Sequence, residues 1–363
     1  MLFSWVFFLQ FLTTTAQIRI VTLRPKFSLN LNKISAVRIY LSLDYELFFG
    51  NTSGSAEKCM LEPTRRLMAI AAKTGIRMTF FVDAGYLWKL QELASVHAEL
   101  QVDLEAISTQ IRQLVAANHD CQLHIHPHWE DASYENGTWN FPVHRYKLAD
   151  FSKASALDIF ERYAAVLHSI SGQKLHSYRA GGWCLQPFIQ VKEAFEKLGL
   201  RQDSTVFPGG YNVNEVYNYD FRSVTTNAAY RFENDLTVES EQGNFLELPI
   251  AAHTFSPLFF WQLYGWGRIF PSRHKPLGNG FPISTSGERS KRLTKSSRLP
   301  VSLDGFFARE LSTALKRNRT DDFVVIGHPK ACTLYSLEQL EKFIRKHKDQ
   351  HQFVTFSDRL SLD

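Results

Sequence analysis

Three histidines stand at alternate positions, His124, His126 and His128, in the stretch "CQLHIHPHWED". Two imidazoles with one carboxylate make a three-ligand metal site with positions left open, the arrangement of hydrolytic zinc and similar ions. Two pairings suit the spacing. His124 and His128 stand four apart, and the rigid Pro127 between them turns the chain off a strand so that both rings face one ion. His124 and His126 share a face if the strand continues straight. Without a metal, the rings would be core histidines stacked on Trp129. Three imidazoles beside "WED" favour the metal.

Other ionisable residues stand at the ends of strand-like runs. Asp44 and Glu46 follow "VRIYLSL", Arg179 ends "LHSY", Asp203 follows "LGLRQ" and His328 ends "FVVIG". In parallel sheets and barrels the C-terminal strand ends form one face, where active sites are built. Five such ends carrying ionisable groups form a constellation, whereas one alone reads as a satisfied polar group.

The elements that must hold them alternate along the chain. "VRIYLSLD" (37–44), "RMTFFVDA", "CQLHIH", "LHSYRAGG", a short run ending at Asp203, "NFLELPI" and "FVVIGH" read as strands. Between them, 63–75 opens with Pro and closes with Gly as a helix does, and 96–117, 157–170, 187–198, 303–317 and 337–347 keep helical spacing. Ser336 with Gln339 reads as a capping box for the last helix. Strand–helix alternation predicts parallel strands closed into a barrel or an open sheet.

The chain has 363 residues, 44% hydrophobic, enough for a large core. Its formal charge of +5 is local: residues 261–300 carry eight Lys/Arg against Glu288 alone, which leaves the remainder at −2. No nucleic-acid motif accompanies that basic run, so nucleic acid is not an expected partner. Cys59, Cys121, Cys184 and Cys332 are scattered without a C-x-x-C pair and read as buried free thiols. Residues 1–34 precede the expected domain, which runs from 35 to 363. Their apolar start, "MLFSWVFFLQFL", fits a signal peptide, a short membrane-associated anchor or an upstream extension, and a membrane surface is a possible partner.

The order D-x-E after the first strand, H-x-x-x-H, a strand-end Arg, a lone Asp and a strand-terminal His resembles the polysaccharide deacetylase family, carbohydrate esterase family four. The resemblance spans about residues 36–357. It implies a single α/β domain, a distorted (β/α)7 barrel. It also implies a divalent metal, zinc by preference, and an N-acetylated glycan or lipid-linked sugar as substrate. Residue by residue, it makes Asp44 the general base and Glu46, His124 and His128 the metal ligands, with His126 behind them or in the core. Arg179 fixes the base, Asp203 orients the catalytic histidine, and His328 is the general acid. Two motifs depart from the family: Tyr45 stands where a second Asp is usual, so that Glu46 takes its place, and Gly181 replaces a proline.

The chemistry suits amide hydrolysis. A divalent metal activates water and polarises the acetyl carbonyl, Asp44 takes the proton, and His328 returns one to the leaving nitrogen. Two other classes stay open. A glycoside hydrolase could use Asp44 and Glu46, although residues two apart on one strand are too close for the inverting spacing. A non-catalytic glycan binder would tolerate the two altered motifs. The segment 255–300, aromatic first and basic afterwards, reads by composition as a solvated, mobile loop. Its functional alternative is a flap whose rings stack on sugar and whose cations meet phosphate or carboxylate.

Overall fold

The computed structural model describes residues 36–283 and 288–360. The N-terminal segment 1–34, with its three readings, lies outside the described residues.

All seven strands expected from the sequence form. They are β1 (Arg38–Tyr45), β2 (Thr79–Asp83), β3 (Asp120–Ile125), β4 (Ser177–Ala180), β5 (Gln202–Asp203), β6 (Phe245–Glu247) and β7 (Asp322–Gly327). Neighbours pair in parallel in the order β6-β5-β4-β3-β2-β1-β7. Just past β6, Ile250 bridges in parallel to Val324 of β7, which joins the two ends of this order. The result is a (β/α)7 barrel, distorted because β5 and β6 are only two and three residues long.

Helices cover the outside: α1 (Glu62–Thr74), α2 (Ala84–Leu93), α3 (Ala98–Ala116), α4 (Lys153–Ser171) and α5 (Lys192–Leu198). After β6 come α6 (Pro257–Ile269) and α7 (Leu311–Arg317), and after β7 comes α8 (Leu334–His347). The α1 start carries Pro63 and its end is Gly75 in the left-handed conformation (φ 72°), which glycine adopts without a Cβ clash. The last helix begins earlier than the sequence suggested. Thr333, not Ser336, is its N-cap, and Ser336 closes the capping box from inside the first turn.

Strand alternation sorts β1 between its two sides. Tyr45 points out, its hydroxyl donating to Gln110 of α3 at 2.8 Å. Ser42, Asp44 and Glu46 point into the barrel and are all buried. The four cysteines are buried free thiols, as expected.

The segment 255–300 is folded over its described part. It opens and closes with an antiparallel strand pair, Ala252–Phe255 against Ser297–Pro300, around α6 and the short helices Pro271–His274 and Glu288–Thr294. Phe255, Phe259, Phe260 and Phe306 form a second, small core beneath it. Composition suggested a loop because the pattern is aromatic rather than cleanly amphipathic, and the strand pair that holds it is contributed from both ends.

Candidate active site

Parallel register brings the strand-end residues together. Asp83 of β2 pairs with His124 of β3, which pairs with Arg179 of β4. Leu43 of β1 lies beside Gly327 of β7, so Asp44 and His328 follow as neighbours.

Arg179 is the best-anchored of them. Its side chain is fully buried: Nη1 donates to Asp44 at 2.6 Å, Nη2 to Ser42 and Ser204, and Nε to the Ser204 carbonyl. The guanidinium also lies over the Phe81 ring, 4.2 Å from its centre. Four of the five N–H donors are used, so the guanidinium is fixed and holds the Asp44 carboxylate in place. Arg179→Met leaves Asp44 buried without its cation and should lower stability by about 3–5 kcal/mol. The check is a lower urea midpoint for this variant at unchanged slope.

Glu46 sits among cations and imidazoles. Its Oε2 lies 3.1 Å from His124 Nε2 and 2.6 Å from His126 Nε2, and its Oε1 accepts from Lys330 Nζ at 2.7 Å. Lys330 is itself buried and also donates to the Leu47 carbonyl. Burial opposes a charge on Glu46, but Lys330 and the two imidazoles outweigh it and hold the carboxyl well below its usual range.

Among the described residues, Glu46, His124 and His126 form a group whose ligand atoms all lie within 4.8 Å of one another. The donors fit a divalent ion. His124 Nδ1 carries its proton toward the Arg179 carbonyl at 2.7 Å, which fixes the tautomer and leaves Nε2 aimed at Glu46. Burial lowers the His124 pKa, yet Asp44 and Glu46 reverse that and bring it up to about 9. A site that draws a proton onto a buried imidazole is a site short of positive charge. Two nitrogens and one carboxylate oxygen are the donor set of a zinc-type centre.

His128 lies apart from this group. β3 runs straight through His124 and Ile125, so His126 keeps the same face, and Pro127 then starts a tight turn, Pro127–Asp131. Trp129 Nε1 fastens that turn to Asp83 at 2.6 Å. The turn carries the His128 ring flat onto Tyr146 (5.2 Å, 9°) and edge-on to Phe49. Both its nitrogens are buried without a hydrogen-bond partner. Burial pushes its pKa well below the ordinary value, so the ring is neutral. Of the two pairings that the spacing allowed, the geometry brings together His124 and His126.

Gly181 explains part of the altered third motif. A Cβ there would lie 2.5 Å from His126 Nδ1. The missing side chain makes room for the imidazole.

Asp203 also stands elsewhere than expected. It accepts from the Thr205 amide and hydroxyl, at 3.0 and 2.8 Å, and pairs in register with Glu247 of β6. Burial and the neighbouring Asp203 push Glu247 well above the usual carboxylate range. The carboxylate on His328 is instead Asp304. It accepts from His328 Nδ1 and from the His328 amide, both at 2.7 Å. The other ring nitrogen, Nε2, faces Asp44 at 3.7 Å and Glu46 at 3.8 Å. Burial disfavours charge on His328, but Asp304, Asp44 and Glu46 prevail and raise its pKa.

The sequence reading missed Asp304 and Lys330. Asp304 fell inside the helix expected over 303–317, whereas Ser302 bridges in parallel to Ile326 and a 3-10 turn begins at Gly305. The signal was present in "PVSLDG", an alternating run closed by Asp-Gly. Lys330, two residues beyond His328, carries no spacing signal.

No family model matches the sequence, and no curated relative matches it. Solved structures similar to it include a suggested polysaccharide deacetylase from Mycobacterium smegmatis, 15% identical, with a TM-score of 0.44 over 88% of this chain and 87% of that one. The Puue allantoinase is 12% identical, with a TM-score of 0.44 over 88% of both chains. A carbohydrate esterase family four pseudoenzyme from Bacillus anthracis is 10% identical, with a TM-score of 0.40 over 89% of this chain and 65% of that one.

Proposed function

We propose that this protein is a metal-dependent hydrolase that removes the acetyl group from the nitrogen of an N-acetylated sugar, in a polysaccharide or a lipid-linked glycan. The observation that carries this reading is the arrangement around His328 Nε2. A carboxylate fixed by arginine and a three-donor metal group lie on one side of an imidazole whose far nitrogen is held by Asp304.

Glu46, His124 and His126 would hold the ion, zinc by preference. When bound, it supplies Lewis acidity toward the acetyl oxygen and toward water. The remaining work belongs to the chain. Asp44, held in place by Arg179, takes the proton of the attacking water. His328, kept protonated by Asp304, gives a proton from Nε2 to the sugar nitrogen as the carbon–nitrogen bond breaks. Lys330 holds Glu46 Oε1 so that Oε2 stays turned to the imidazoles.

A glycoside hydrolase is less well supported. Both carboxylates it would need are committed, Asp44 to Arg179 and Glu46 to Lys330 and the histidines. Zinc-loaded protein should release acetate from a panel of N-acetylated glycans without releasing reducing ends. Reducing ends without acetate would move the reading to glycoside cleavage. Tight glycan binding with neither product would move it to a binding protein.

A further inference from the structure

The helix α6 presents apolar side chains on two sides. Phe259 and Phe260 are buried in the small core, with Leu263 and Tyr264 partly buried beside them. The other side should then be polar, as in a surface helix that packs by one stripe. It is not. Leu258, Trp261, Trp266 and Ile269 are 65%, 60%, 42% and 65% exposed, and Phe270, stacked on Trp266, is 48% exposed. At 3.6 residues per turn, positions 258, 261, 265 and 269 fall on one stripe, with 266 at its edge.

Exposed cations stand on this helix and on the segments that follow it. Arg268, Lys275, Lys291 and Lys295 are exposed, and among the described residues none of them meets a carboxylate. Lys291 stands on the short helix Glu288–Thr294, which packs on α6, with Lys295 just beyond its end. The Trp261 indole donates to the Leu293 carbonyl of that same helix at 3.2 Å and still leaves most of its surface in water.

The patch belongs to the end of the barrel that carries the strand-end residues. The strand leading into α6 follows directly on β6. On the far side, Leu277 and Gly278 are bonded to the carbonyls of Cys332 and Lys330, and Phe281 is paired with the loop after β1. Phe281 is 65% exposed there.

We propose that this face docks on an anionic phospholipid bilayer, with Trp261, Trp266, Leu258 and Ile269 entering the interface and the Arg/Lys rim meeting lipid phosphates. Exposed tryptophan with a basic border is the composition that interfacial helices use, since indoles settle at headgroup level and cations add attraction to anionic lipid. Charge complementarity selects this occupant. A second copy of the chain would bring one uncompensated basic rim against another, a like-charge contact that opposes pairing. The surface is independent of turnover and of the metal.

The test is co-sedimentation of the full chain with vesicles of mixed phosphatidylglycerol and phosphatidylcholine, compared with pure phosphatidylcholine. Wild type should partition to the mixed vesicles and weakly to the neutral ones. The triple variant Trp261→Ser, Trp266→Ser, Ile269→Ser should lose at least about tenfold in partitioning. The pair Lys291→Glu, Lys295→Glu should lose the preference for phosphatidylglycerol. Circular dichroism checks that each variant is folded. Leu258→Ser with Ile269→Ser keeps both indoles and offers a milder case, read by quenching of tryptophan fluorescence with brominated lipid. All three variants carry the same residues 1–34, so equal binding by wild type and variants would assign any affinity to another part of the chain and overturn the proposal. Absence of binding by wild type would overturn it too. So would concentration-dependent self-association that the triple variant abolishes, without vesicle binding.

Discussion

Replacing His126 by alanine is expected to weaken zinc binding at least about 100-fold, while His128→Phe keeps the metal. Loss of a group that merely orients a ligand costs roughly 10–100-fold in affinity, and a ligand itself should cost no less. His126 Nε2 stands 2.6 Å from Glu46 Oε2 and its ring is seated against Gly181. His128 has a different environment. It lies between Tyr146 and Phe49 with two nitrogens that nothing satisfies, and burying unpaired polar atoms is destabilising. Phenylalanine keeps the stacking and removes both orphans, so His128→Phe should be at least as stable as wild type. Zinc titration calorimetry on the two variants, with thermal melts alongside, is the measurement. Loss of zinc in His128→Phe, with zinc retained in His126→Ala, would restore the pairing of the histidines four apart.

The contrast between those two histidines shows where the sequence was readable. Period-two alternation in β1 placed Asp44 and Glu46 on one side and Tyr45 on the other, and the structure agrees because a straight strand leaves no freedom in that sorting. The seven strands and the end of the sheet that carries the ionisable groups were legible for the same reason. What happens past a strand end was not. Pro127 does turn the chain, but the direction of the turn is fixed by the bond from Trp129 to Asp83, a contact between residues 46 apart in sequence. Asp203 and Asp304 illustrate the same limit. Both follow extended runs, and only the pairing of Ser302 with Ile326 decides which carboxylate meets His328. The aromatic face of α6 was visible as composition, while its outward aim depends on the strand pair that closes the segment from both ends.

Asp304→Asn is expected to move the alkaline limb of the pH–rate profile for acetate release to lower pH by about 1–2 units. The sign follows from the acid role of His328. Activity needs the imidazolium, so it is lost as pH rises through the His328 pKa. In the wild type that pKa is raised, because Asp304 at 2.7 Å, with Asp44 and Glu46 beyond it, outweighs the burial that opposes charge. An amide in place of the carboxylate still accepts a hydrogen bond from Nδ1 but no longer carries the charge, so burial gains ground and the proton leaves sooner. Asp203→Asn should leave the limb where it is, since Asp203 accepts from the Thr205 amide and hydroxyl and Asp304 is the carboxylate on His328. His328→Ala should lower turnover by roughly 10²–10⁴-fold with zinc still bound, because none of Glu46, His124 and His126 depends on it. A limb that moves with Asp203→Asn and not with Asp304→Asn would return the orienting role to Asp203. A limb unmoved by either, with His328→Ala still active, would take the proton away from His328 altogether.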